Sequence, residues 1–251
     1  MDFDLEEHHV AIKRLVRDFA EKEIAPYTRE LEEKGEFPYE IVGKMGGLGL
    51  LGLPFPEEYG GGGTDNLCYV ILLEELARVY PSIAVTVQAD ISLGGIPLHL
   101  FGNEEQKRRW LAPLARGEML GAFGLTEPGA GSDAGATATT AALDGDDWVI
   151  NGTKCFITNA GTDITGFVII TVVTGKRPDG KKEISNLIVP KGTPGYSQAP
   201  PYKKMGLHTS DTRELSFDDC RVPRGNLIGE RGVGFRQFLR VLDEGRIAVA
   251  G

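Results

Sequence analysis

Between Gly121 and Gly135 the chain reads Gly-Ala-Phe-Gly-Leu-Thr-Glu-Pro-Gly-Ala-Gly-Ser-Asp-Ala-Gly, and no other stretch limits the possible folds as strongly. Five glycines and a proline in fifteen residues exclude a regular helix, so the whole run reads as a loop. Glycine reaches positive φ and lets the backbone approach a ligand, while Pro128 stiffens the turn. Successive backbone N–H groups beside the Thr126 and Ser132 hydroxyls suit phosphate oxygens or the polar edge of a cofactor ring. An ordinary connection between domains shares this composition. The order Thr-Glu-Pro-Gly-Ala-Gly-Ser-Asp is far more specific than a lone glycine pattern.

Upstream of that run, residues 4–119 read as helical. Asp4 followed by Glu7 has the form of a capping box, and Ile12, Leu15, Val16, Phe19 and Ala20 then recur on one face. Pro26 ends or kinks this helix, and Pro38 suits the first turn of the next. Gly47-Leu48-Gly49-Leu50-Leu51-Gly52 is formally GxGxxG. It follows a helix and runs into Pro54 and Pro56, whereas a dinucleotide fingerprint follows a strand and opens a helix. Glu57 to Gly63 reads as a turn, after which Asp65 caps a helix that is apolar on most faces. Ser82 is the expected cap of a similarly apolar helix, and Asn103 with Gln106 forms a capping box for another. The run Lys107-Arg108-Arg109 reads as a solvated face.

Downstream the texture changes to strands. Trp148-Val149-Ile150 and Thr153 to Ile157, joined by Asn151-Gly152, read as a hairpin. Further strands are expected over Phe167–Val173, Ile184–Val189 and Leu215–Phe217, with Pro and Gly punctuation between them. Past Gly229 helical spacing returns through Phe235, Phe238, Leu239, Val241 and Leu242. The fold class predicted is α+β: an N-terminal helical bundle over 1–119, a small antiparallel β-barrel or sandwich over 120–229, and the opening helix of a further bundle over 230–251.

Composition removes several functions. Lys and Arg number 27 against 36 Asp and Glu, a net charge of -9, which disfavours a nucleic-acid or anionic membrane partner. Three scattered cysteines, with no histidine at ligand spacing, give no disulfide framework and no metal site. The apolar region from Ile83 to Phe101 is broken by Gln88, Asp90, Ser92 and Pro97, so it reads as a buried helix rather than a membrane span. With an acidic opening and no leader pattern, a cytoplasmic location of bacterial type is expected, or the mitochondrial matrix if a leader has been removed.

The glycine loop resembles the flavin-binding signature of the acyl-CoA dehydrogenase family. Three further segments are similar to family motifs: Asn151-Gly152-Thr153-Lys154-Cys155-Phe156-Ile157-Thr158-Asn159, Lys204 through Thr212, and Asp243-Glu244-Gly245-Arg246. The resemblance implies FAD as cofactor, with contacts from Phe123, Leu125, Thr126, Gly131, Ser132, Phe156, Ile157 and Thr158. Leu125 and Thr126 would face the polar edge of the ring, where reduction builds negative charge. Phe156 would pack on the isoalloxazine where many family members carry Trp, and Thr158 would offer its hydroxyl to the hydride-accepting nitrogen. Ser132, Asp243 and Arg246 would contact the acyl-CoA substrate. Read without the family, Phe156 is a core aromatic and Asp243 and Arg246 a solvated or helix-pairing set. Glu127 and Asp133 read as turn-holding carboxylates.

The implied reaction is α,β-desaturation of an acyl-CoA thioester to a trans-2-enoyl-CoA, with an electron-transfer flavoprotein as acceptor and a homotetramer as assembly. A carboxylate must take the α-proton. In one branch of the family a glutamate immediately precedes the substrate-site arginine, but here that position is Gly245. Glu244 is one residue earlier, about 100° round the helix, so no catalytic residue is assigned in this chain and the base is expected beyond Gly251. Two alternatives stay open: an acyl-CoA oxidase or flavin monooxygenase of the same fold, and a catalytically incomplete fragment or partner subunit.

Overall fold

A computed structural model describes residues 4–251. Helix α1 (Glu7–Phe19) is capped by Glu6, whose N–H donates to His9 Nδ1 at 3.1 Å. The predicted cap, Asp4, lies outside the helix, because a ring nitrogen three residues on takes the role expected of a glutamate. At Pro26 the helix kinks: a π-helical turn (Ala20–Ile24) and a 3-10 turn (Ala25–Tyr27) lead into α2 (Thr28–Lys34). Next comes α3 (Tyr39–Gly47), and the GxGxxG segment follows that helix. Asp65 caps α4 (Asn66–Val79) by accepting the Cys68 N–H at 2.9 Å.

Helix α5 (Pro81–Phe101) is π-helical over Ala89–Gly95. Its start is set by Pro81 at the first helical position, so Ser82 is buried inside the first turn rather than capping it. It is long and apolar enough to cross a membrane, yet 72% of its apolar window is buried inside the protein, as expected of a core helix. Asn103 and Gln106 close the predicted capping box of α6 (residues 104–115) with bonds of 2.8 and 3.1 Å.

Seven strands follow: β1 (Leu120–Gly124), β2 (Thr140–Asp144), β3 (Asp147–Thr158), β4 (Thr165–Lys176), β5 (Lys182–Pro190), β6 (Tyr196–Gln198) and β7 (Thr212–Pro223). They form one curled sheet in the order β1-β4-β2-β3-β7-β6, with β5 also on β4. The sheet is mixed rather than purely antiparallel, since β1 runs parallel to β4 and β2 meets β4 parallel at Thr140 and Val173. The start of the glycine run is therefore strand, not loop: Gly121 to Gly124 pair with Phe167 to Ile170. Glycine is required there by close approach, because a Cβ on Gly121 would lie 2.8 Å from the Gly94 Cα of α5.

The predicted hairpin at Asn151-Gly152 does not exist. β3 runs straight through both residues, and the turn lies earlier, at Gly145 between the paired Asp144 and Asp147. Asn151 instead exchanges hydrogen bonds with Asp219 on β7, and a Cβ on Gly152 would sit 2.6 Å from Thr139 Oγ1. A close crossing selected the glycine that sequence alone assigns to a turn.

β4 is buried on both faces, which explains its unbroken apolar run. Phe167 and Ile169 pack into the helical core, while Val168, Ile170 and Val172 join Trp148, Leu215 and Phe217 in a second core beneath the curl. Polar bonds fix the two halves together. Gly121 N–H donates to Asp90 Oδ1 (2.8 Å), Asn159 Nδ2 donates to the Thr86 carbonyl (2.9 Å), and Gln106 Nε2 donates to the Gly225 and Leu227 carbonyls. Helix α7 (Gly234–Ala250) then packs back against α4 and α5.

Candidate functional site

The chain leaves the β4 edge at Gly124, opposite Ile170, and rejoins it at Thr140, opposite Val173. Residues 125–139 are thus an excursion whose ends lie three β4 residues apart, about 10 Å. Into the resulting gap in the sheet β3 sends Lys154, a fully buried lysine. Its three N–H donors are shared among four acceptors: Glu127 Oε1 (2.7 Å), the Leu125 carbonyl (3.2 Å), Thr137 Oγ1 (3.1 Å) and Thr171 Oγ1 (3.1 Å). Glu127 in turn accepts from Thr137 Oγ1 (2.5 Å), Ala138 N–H (2.7 Å) and Thr139 N–H (3.1 Å). One buried ion pair therefore ties both ends of the loop to the sheet.

Burial alone pushes Glu127 up, but hydrogen bonds from Lys154, Thr137 and Ala138 outweigh it and bring the carboxyl down to about 2. Burial also pulls Lys154 down, against the opposing effect of Glu127. The convergence of four donors on the carboxylate supports its ionised state, and four acceptors around Nζ support the ammonium. The turn-holding role expected of Glu127 is what the geometry contains. Asp133 is exposed on the loop.

A β-bulge aims the second part of the site. Pairing between β3 and β7 slips between Lys154 and Ile157, and Phe156 takes a φ of 60°. That left-handed backbone is rare for a bulky residue and is the kind of local strain found at ligand sites. It turns the Phe156 ring outward, 65% exposed, where it lies 5.1 Å from the Tyr202 ring at 30°. Phe156 is not a core residue. Cys155 N–H donates to the Thr126 carbonyl (2.9 Å), so the bulge and the start of the loop are one unit. Among the described residues the N–H groups of Leu125 and Thr126 have no acceptor.

The remaining predicted residues are scattered around this unit. Thr158, at the end of β3, is half-buried; Gly131 and Ser132 are exposed on the loop crest. The side chains of Phe123 and Ile157 are buried in the two cores. Asp243 and Arg246 pair with each other at 2.5 Å on the exposed face of α7, the helix-pairing arrangement read without the family. Gly245 faces Ser92 and Gln88 of α5, while Glu244 turns to Asn66, which donates to it at 3.2 Å.

Lys154 and Tyr202 were not anticipated. A lone lysine in an apolar strand was the available signal for the first. A second cluster also escaped sequence reading because it joins residues 56 apart: ligand atoms of His8, His9, Asp65 and Cys68 lie within 4.8 Å of one another. His9 Nδ1 accepts the Glu6 N–H, so its proton is on Nε2, which donates to Asp65 Oδ2 at 2.9 Å. That tautomer has no lone pair for a metal, and the cluster joins α1 to α4.

The fold and the clamped loop define a class: a helical half and a curled sheet that present a glycine loop and an outward aromatic for a planar cofactor. Comparison with known proteins identifies the family. Residues 6–118 match the acyl-CoA dehydrogenase N-terminal domain and residues 122–220 the middle domain. The probable acyl-CoA dehydrogenase YngJ of Bacillus subtilis is 52% identical over 250 residues, covering 100% of this chain and 65% of that protein. Butyryl-CoA dehydrogenase of Megasphaera elsdenii superposes with a TM-score of 0.94 at 42% identity, over 100% of this chain and 66% of that one. An acyl-CoA dehydrogenase of Bacillus anthracis complexed with FAD gives 0.88 at 38% identity, over 97% and 41%. The chain belongs to the acyl-CoA dehydrogenase family, and it spans about 65% of the length of the curated relatives it matches.

Proposed function

We propose that this chain forms the flavin-binding and part of the acyl-binding portion of a short-chain acyl-CoA dehydrogenase, which desaturates an acyl-CoA thioester to its trans-2-enoyl product. The observation that carries the reading is the clamped Leu125–Thr126 segment, whose N–H groups have no acceptor among the described residues and whose Thr126 carbonyl is bonded by Cys155, the neighbour of the outward Phe156. FAD fits these residues: the Leu125 and Thr126 N–H groups would serve its polar edge, Phe156 would pack on its ring, and the glycines would allow close backbone approach. When bound, it supplies the acceptor for the β-hydrogen leaving as hydride.

The chain's own residues orient and shield. The Lys154–Glu127 pair holds the loop donors in place before the reaction, so stabilising developing charge requires little reorganisation. Thr158 would offer its hydroxyl at the end of β3, and Ser132 would meet the CoA portion. Asp243 and Arg246 would have to exchange their mutual ion pair for substrate. An apolar crevice of about 130 Å³ between α4, α5 and α7, lined by Leu73, Ala84, Gln88 and Ala248, suits a short acyl tail. The butyryl-CoA specificity named for the Megasphaera relative supports the same choice.

Two carboxylates are poorly placed to serve as base: Glu127 is saturated by donors, and Glu244 faces Asn66. The α-proton would be taken by another carboxylate of the full-length enzyme. Electrons would pass to an electron-transfer flavoprotein, and the assembly would be a homotetramer, both by resemblance. The test is anaerobic titration of the full-length enzyme with FAD and then butyryl-CoA. Retained flavin whose visible absorbance bleaches on butyryl-CoA is expected; a protein that never retains FAD overturns the reading. Bleaching only by long-chain thioesters overturns the short-chain assignment.

A further inference from the structure

We propose that Lys154 tunes the bound flavin through a single peptide group, the one joining Leu125 to Thr126. The inference rests on the flavin site proposed above and goes beyond it by assigning a residue that touches neither cofactor nor substrate. The carbonyl of that peptide belongs to Leu125 and accepts from Lys154 Nζ at 3.2 Å. Its N–H belongs to Thr126 and has no acceptor among the described residues. In a trans peptide the two groups point in opposite directions. With the carbonyl fixed inward on a buried ammonium, the N–H is fixed outward, away from the sheet gap.

Hydrogen bonds in series polarise one another, most strongly where surroundings have a low dielectric. An ammonium donating to the Leu125 carbonyl draws electron density through the amide and makes the Thr126 N–H a stronger donor. Glu127 lies closer to Nζ than the carbonyl does and offsets part of this charge. It does not remove the effect, because Thr137, Ala138 and Thr139 already engage both carboxylate oxygens. Reduction adds negative charge to the flavin, so a stronger donor favours the reduced form over the oxidised one. Lys154 is thus a positioning residue that acts on the flavin through the backbone.

The experiment is the midpoint potential of flavin bound to the full-length enzyme, measured for wild type, K154M/E127Q and E127Q. The double variant removes the donor without stranding a buried charge. Its preference for reduced over oxidised flavin is expected to fall roughly tenfold, the scale of one charge-assisted hydrogen bond, a shift of about 30 mV to more negative potential for a two-electron couple. E127Q alone keeps Lys154 on the carbonyl but removes the balancing charge, so its potential should move several-fold in the opposite, positive direction. A purely structural role would move both variants the same way or neither. Equal potentials in wild type and flavin-bound K154M/E127Q overturn the inference. Should the double variant fail to fold, an unchanged or negative shift in E127Q overturns it. A wild type that retains no flavin instead defeats the underlying site, an outcome read from binding rather than potential.

Discussion

Two buried glutamates, one in each half of the molecule, solve the same electrostatic problem differently. In the helices Glu75 is 1% exposed, yet its partners Arg17, Arg78 and Lys13 are all 34–47% exposed at the rim. Arg17 grips both of its oxygens, at 2.7 and 3.0 Å, and thereby holds α1 against α4. In the sheet Glu127 meets a lysine that is itself fully buried, and every remaining donor comes from the loop. The first arrangement fastens helices that already share an apolar core. The second fastens a glycine-rich segment with few apolar side chains of its own, so its shape depends on polar bonds. Buried ion pairs add little net stability but are costly to break on one side, and that asymmetry makes the second pair a device for geometry.

Substitution separates the two most strongly. Glu127→Ala strands a buried ammonium and should cost about 3–5 kcal/mol in chemical denaturation. Glu75→Ala should cost about 1–2 kcal/mol, because its cations can turn to water. Equal losses would erase the distinction drawn here.

Acid titration sharpens it. Glu127 titrates at about 2 in the folded protein against an ordinary 4.5, so its contribution is complete above pH 4.5 and lost as pH falls through 2. The stability gap between wild type and E127Q should narrow over that window in acid-unfolding measurements. A constant gap would mean that the carboxylate is not held ionised by the loop.

Two glycine substitutions test which residues make the turn between β2 and β3. Gly152→Ala places a Cβ 2.6 Å from Thr139 Oγ1 at a φ of 146° and should cost about 1–3 kcal/mol. Gly145→Asn, in the true turn, meets nothing within 4 Å and should change the melting behaviour by less than about 1 kcal/mol, since asparagine tolerates a φ of 62°. The reverse order would restore the hairpin that the sequence suggests.

What the sequence determined by itself is local. Asp65 and the Asn103–Gln106 box carry their cap chemistry within a few residues, Pro26 kinks wherever it stands, and apolar periodicity separates helices from strands. The glycine loop and its motif partners were legible because their residue types are unusual at that spacing. Only the tertiary structure decided that Gly121–Gly124 is a strand, that Gly152 serves a crossing, that Phe156 turns outward, and that Lys154 closes the sheet gap. Each of these depends on partners between 13 and 46 residues away, and a chain read along its length has no term for a contact whose other half arrives through folding.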